Sequence, residues 1–355
     1  MLSRLSYIHI GRPHWHLRPI LWGALCLISL AAVCTLFVLQ IKIVAFKTTT
    51  DTTALAREIV SSSTRVFPLG VNPKTKTVTE NPQINAYVEK FVASNYTPTN
   101  VVNSWQTRFL AHFAQLDWFQ NLASPISRIL VIQSGERSEE VVSHFTKILS
   151  WDTAEQTEFL TRIASEVPEL PDGKLYPGTY IVEKDASPEA VAIAVADRFN
   201  AEVRSRYSDD VENVLPLRDA LIIASLIERE AYDFQDMRYI SGVIWNRLFI
   251  DMRLQIDATM QYAKATNQKS TTLKNWWPVP VPADKTINSP YNTYKIAGLP
   301  PGPISNPSID AIIAALNPRE TDCLFYFHDE NGGFHCSVTY EEHVANLKAV
   351  FGQGK

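Results

Sequence analysis

Two glutamates, Glu228 and Glu230, close an apolar stretch in the second half of the chain. In PLRDALIIASLIEREA (Pro216 to Ala231) the apolar positions recur at helical spacing, Pro stands near the start and Asp219 falls in the first turn, so the run predicts a helix. At about 100° per residue, Ile223, Leu226 and Ile227 lie within about 60° of Glu230, whereas Glu228 falls on the opposite side beside Leu221 and Ser225. A carboxyl on an apolar stripe loses water, which disfavours its charged form and raises its pKa towards the range of a general acid at neutral pH. The competing reading is that Glu230, near the helix end, snorkels outward or pairs with Arg247 or Arg253.

The elements that must position such a group are partly legible. Arg128 to Gln133 is a short β-branched run, followed by the polar turn Ser134 to Arg137 and a helical pattern over Val141 to Leu149. Asp172 to Tyr180 is punctuated by Gly and Pro and ends in an apolar, strand-like tail. Pro188 to Tyr207 predicts an amphipathic helix capped by Ser187. Gly298 to Pro307 is a Pro-rich loop that predicts rigid scaffolding. Leu324 to Phe327 turning through Asp329 to Gly333 predicts a hairpin bracketed by Cys323 and Cys336. In an oxidising compartment these cysteines would form a cross-strand disulfide; the alternative is two buried thiols.

Towards the N-terminus, Ile20 to Leu39 carries no charge and is long enough, at about 1.5 Å per residue, to cross a ~30 Å hydrocarbon core. It predicts an uncleaved transmembrane helix, with orientation undecided because Arg4, Arg12 and Arg18 are balanced by Lys42, Lys47 and Arg57. From Lys47 to about Pro125 a polar linker leads into helical segments around Ile84 to Val92 and Trp105 to Leu122. With 355 residues, 46% hydrophobic content and a net charge of -4, the chain can bury a sizeable core. It lacks the basic tract expected of a nucleic-acid binder. Neither metal-ligand spacing nor a Gly-rich phosphate loop is present, so no metal and no cofactor is expected.

Several motifs, in order, resemble the MltG (YceG-like) family of endolytic murein transglycosylases. They are ASLIERE (Ala224 to Glu230), VIWNRL (Val243 to Leu248), MRLQID (Met252 to Asp257), SPYNTY (Ser289 to Tyr294), GLPPGPISNP (Gly298 to Pro307), AALNP (Ala314 to Pro318) and TYEEH (Thr339 to His343). The resemblance implies an α+β fold with a single N-terminal transmembrane helix, a small LysM-like α/β subdomain and a mixed α+β catalytic domain with a lysozyme-like catalytic helix. The corresponding divisions are a cytoplasmic N-terminus (1–19), the transmembrane helix (20–40), a divergent juxtamembrane region (41–127), a LysM-like and connecting region (128–212) and the catalytic domain (213–355). It places the protein in the cytoplasmic membrane with its catalytic domain outside.

In that family the second glutamate of the E-x-E pair is catalytic, which here is Glu230. Lytic cleavage differs from hydrolysis by two carboxyl groups. The 6-hydroxyl of the same N-acetylmuramic acid attacks, so one glutamate can protonate the leaving oxygen and then take that hydroxyl proton, leaving a 1,6-anhydro end. The resemblance thus implies cleavage of the MurNAc-GlcNAc β-1,4 bond in nascent glycan strands, terminating their elongation, with glycan-polymerising penicillin-binding proteins as candidate partners. Asn246, Gln255, Asp257, Tyr291, Asn292 and Tyr294, within the matching motifs, are the candidate substrate-binding residues, each also readable as a cap, turn or core residue.

The chain departs from the family pattern at four places. Ala231 stands where Thr is frequent; Ile256 and Ala258 stand where the pattern has Thr and Pro; and in GGFHCS (Gly332 to Ser337) the histidine is displaced by one position, to His335. These departures leave open a non-catalytic peptidoglycan-binding or cell-division scaffold of the same fold. A muramidase that adds water is the third reading.

Overall fold

A computed structural model describes residues 66–86, 126–166, 170, 172–267 and 275–352. The expected transmembrane span, and most of the region expected to be helical between residues 47 and 125, lie outside the described residues. Among the described residues no helix is long and apolar enough to cross a membrane.

Among the described residues the first strands form a minimal hairpin, β1 (Val71–Asn72) and β2 (Thr77–Val78). This segment falls in the expected juxtamembrane, divergent region and packs into the larger of the two cores among the described residues. Phe67, Val71 and Ile84 are buried there. Gly70 N–H donates to Leu316 O at 2.8 Å, and Arg319 pairs with Glu80 at 2.8 Å.

The next unit runs β3 (Ser127–Ile132), α1 (Ser138–Leu149), α2 (Thr153–Glu166), β4 (Gly178–Glu183) and α3 (Pro188–Glu202). β3 and β4 pair antiparallel, with Leu130 opposite Tyr180. Their inward residues meet Val141, Phe145, Phe159, Ile163, Val191 and Val195 in a core of their own. Ser187 caps α3, its side chain accepting from Ala190 N–H. The helix ends at Glu202 and gives way to a 3₁₀ turn over Arg204–Arg206, short of the expected end at Tyr207. Helix α2 was not anticipated. Its sequence is mostly polar, and Phe159 and Ile163, one turn apart, carry its buried face.

The second unit is mainly helical: α4 (Asp209–Val214), α5 (Leu217–Glu230), α6 (Phe234–Phe249), α7 (Asp257–Asn267) and α8 (Ile309–Leu316), then β5 (Phe325–His328), β6 (Phe334–Ser337) and α9 (Tyr340–Phe351). α5 packs against α6, α7 and α8 and is buried from Ala220 to Ile227 on every face. A helix wrapped all round is a core helix rather than an amphipathic surface one. β5 and β6 form an antiparallel hairpin in which Tyr326 faces Cys336 and His328 faces Phe334. Cys323 and Cys336 are joined by a disulfide, with Cα atoms 5.7 Å apart.

The Pro-rich loop joins the two units. Asn306 N–H and its side-chain amide both donate to Glu136 O, at 2.8 and 2.9 Å, while its Oδ1 accepts from Leu175 N–H at 3.0 Å. Arg137, wholly buried, donates to Thr266 Oγ1 at 3.0 Å and lies 4.0 Å over the Tyr262 ring on α7.

Candidate active site

Helix α5 ends at Glu230 because Ala231 turns extended (φ -90°, ψ 151°). The carboxyl is thereby set at the helix terminus, between the start of α7 and the β5–β6 hairpin. Tyr326 Oη donates to Glu230 Oε2 at 3.1 Å, and Ala258 N–H, in the first turn of α7, approaches Oε1 at 3.4 Å. Proline, which the family pattern has at the latter position, would have no N–H to offer. Burial pushes the Glu230 carboxyl above its ordinary range; the Ala258 amide opposes that, the nearby Asp257 charge adds to it, and the Tyr326 hydroxyl and His328 work against it. The group can hold a proton, and the carboxylate left by losing it meets two ready donors. It does not pair with Arg247, whose guanidinium donates to the carbonyls of Leu324 and Leu254.

Burial does not single out Glu230 as the helical wheel implied. Glu228 is also raised by burial, and the side of α5 it was assigned to is packed, with Leu221 and Ser225 fully buried. What separates the two is occupation. Glu228 Oε2 accepts from Ser308 N–H at 2.9 Å and Ser308 Oγ at 2.5 Å, tying α5 to the start of α8, and Ser134 adds a third donor. Glu228 is a joint between elements, whereas Glu230 ends one.

The hairpin that holds Tyr326 is itself held by α6. Arg238 Nε donates to Asn317 O at 2.9 Å, and Trp245 Nε1 to Ala315 O at 3.0 Å. Asn246 Nδ2 donates to Thr321 O at 2.6 Å and to Cys323 O at 3.1 Å. Between them Gly242 lets the chain approach so closely that an added Cβ would lie 2.4 Å from Arg319 O. One face of α6 thus fixes the segment leading into β5.

The expected binding residues separate into two groups. Asp257 and Tyr294 lie beside Glu230, with Tyr294 Oη donating to Asp257 Oδ1 at 2.6 Å; Gln255 is exposed two residues before Asp257, in a left-handed conformation (φ 50°). The others are engaged elsewhere. Asn292 is fully buried, its amide donating to Lys285 O and Ile287 O and its Oδ1 accepting from Tyr294 N–H, so it is a loop strut rather than a sugar contact. Both amide hydrogens of Asn246 are occupied by carbonyls behind the hairpin. Tyr291 packs on the Tyr262 ring at 4.6 Å. His335 pairs with Asp329 at 2.9 Å and stacks on Phe327.

Sequence reasoning missed Tyr326, His328 and Asp236. His328 Nε2 lies 2.9 Å from Asp236 Oδ2, which also accepts from Tyr232 N–H at 2.8 Å. The signal was strand alternation: in Phe325–His328, Tyr326 and His328 share a face, while Phe325 and Phe327 contact α9 through His343.

The fold and site define an α+β protein with a protonatable glutamate at the end of a buried helix. A model of the YceG-like family matches residues 75–349, and the chain belongs to that family. It is 36% identical over 173 residues to an endolytic murein transglycosylase of Bacillus subtilis, a match covering 48% of this chain and 46% of that protein. It is 32% identical over 177 residues to the endolytic murein transglycosylase of Streptococcus pneumoniae, covering 50% of this chain and 31% of that one. The matched segment thus spans less than half the length of either relative. In fold it resembles the crystal structure of a yceG-like protein from Listeria monocytogenes, with a TM-score of 0.53 and 23% identity over 79% of this chain and 97% of that chain.

Proposed function

We propose that the chain is an endolytic lytic transglycosylase that cleaves the MurNAc-GlcNAc bond of peptidoglycan glycan strands, with Glu230 as acid and then base. The observation that carries this reading is the setting of Glu230: a carboxyl raised by burial, with Tyr326 and the Ala258 amide as its donors. Protonated, it gives its proton to the glycosidic oxygen as the bond to C1 breaks. The resulting carboxylate, stabilised by those donors, takes the proton of the muramic 6-hydroxyl as that oxygen closes on C1. The nucleophile belongs to the substrate, so a second protein carboxylate is not required. Asp257, Tyr294 and Gln255 are the neighbouring polar groups available to hold the sugars.

Further parts of the proposal concern the rest of the chain. The two helices between antiparallel β3 and β4 support a LysM-like reading of that unit. Residues 20–40 would anchor the chain in the cytoplasmic membrane, with the catalytic domain on the outer side. There the enzyme would terminate nascent strands made by glycan-polymerising penicillin-binding proteins. A Glu230→Gln chain that keeps its melting temperature should lose strand cleavage; cleavage at the wild-type rate would end the assignment.

A further inference from the structure

Tyr232, two residues beyond Glu230, is 72% exposed. A lone exposed aromatic needs no explanation. This one is held from two directions. Its N–H donates to Asp236 Oδ2 at 2.8 Å, and its ring stands edge-on to the His328 ring, with centroids 4.8 Å apart. Asp236 and His328 are in turn bonded to each other at 2.9 Å, with Asp236 only 7% exposed. The pair, Asp236 buried and His328 largely so, therefore holds the backbone and borders the ring of a residue whose surface is left open. His328 also neighbours Tyr326, ring centroids 6.2 Å apart, and Tyr326 bonds Glu230. The order Tyr232, His328, Tyr326, Glu230 is a continuous line from an exposed aromatic face to the carboxyl.

We propose that Tyr232 is a stacking platform for an N-acetylhexosamine ring of the strand, adjoining the sugar whose bond Glu230 breaks. This rests on the reading of Glu230 as the catalytic acid. The face of a β-linked hexosamine presents axial C–H groups, and an aromatic face offers them a large apolar contact with negative charge density. Because Asp236 holds the Tyr232 backbone and His328 already contacts the ring, less side-chain freedom is lost when the sugar binds.

The test uses the full chain carrying Glu230→Gln, so that ligand is not consumed, and titrates it with a β-1,4-linked N-acetylglucosamine hexamer by calorimetry. Adding Tyr232→Ala should weaken binding by about threefold to tenfold, with Tyr232→Phe and Tyr232→Trp close to the parent and melting temperatures unchanged. The proposal is overturned if the alanine variant binds like the parent, if phenylalanine is as damaging as alanine, or if the parent shows no saturable binding. Tyr232-dependent binding in a chain whose wild type releases no product would keep the platform and reject the catalytic reading.

Discussion

Tyr326→Phe deletes one oxygen and leaves the ring to pack against Phe334. The lost contact is a 3.1 Å hydrogen bond from a neutral hydroxyl to a partly buried carboxyl. Hydrogen bonds to charged groups contribute about 1.5–3 kcal/mol, and the length of this one argues for the lower end. Since the bond favours the carboxylate, its loss moves the Glu230 pKa further upward. Glu230 must be protonated in the free enzyme to act as an acid. The alkaline limb of kcat/KM, where that proton is lost, should therefore shift to higher pH. At the optimum, kcat should fall about tenfold, because the carboxylate formed as the proton leaves is less stabilised. The assay is release of muropeptide ends from uncrosslinked glycan strands across a pH series, with melting temperature as the control. An alkaline limb at the wild-type pH, with the fold intact, would refute the reasoning.

Three further outcomes follow from the geometry. Burial raises Asp310 to about 7. Its folded pKa lies above the unfolded value, so its contribution to stability is full below about pH 4 and is lost as pH rises through 7; Asp310→Asn should flatten the pH dependence of the melting temperature over that window and raise it at pH 8. Replacing Cys323 and Cys336 by serine should cost about 3 kcal/mol, read by urea titration, since the bridge closes a short loop. Asn292→Ala should cost about 1–3 kcal/mol of stability with KM unchanged, as expected for a buried strut; a raised KM at unchanged stability would return it to the substrate site.

The helical wheel preferred Glu230 to Glu228 by an argument that the packing does not support. A wheel assumes burial on one side, and α5 is enclosed by α6, α7 and α8, so both glutamates are desolvated. The distinction lies in Ser308, whose hydroxyl and N–H occupy Glu228, a contact across 80 residues that no local pattern encodes. The hairpin was legible because turn residues are local signals, whereas the sequence left Cys323 and Cys336 open between a bridge and two buried thiols, and the structure joins them. Tyr326 and His328 were readable from alternation, but only once the hairpin face turned towards α5 was known. Asn292 and Asn246 look like ligands in sequence because amides suit sugars equally well as backbone carbonyls. α2 stayed hidden because a mostly polar helix with Phe159 and Ile163 as its anchors carries little periodic signal.

The most direct test of the central claim is mass analysis of the products released from purified glycan strands by the wild-type chain. Attack by the muramic 6-hydroxyl should give 1,6-anhydro-muramyl ends, which weigh one water less than reducing ends, and Glu230→Gln should abolish them. Reducing ends would make the enzyme a hydrolase, and intact strands from a folded wild-type chain would contradict catalysis by this site.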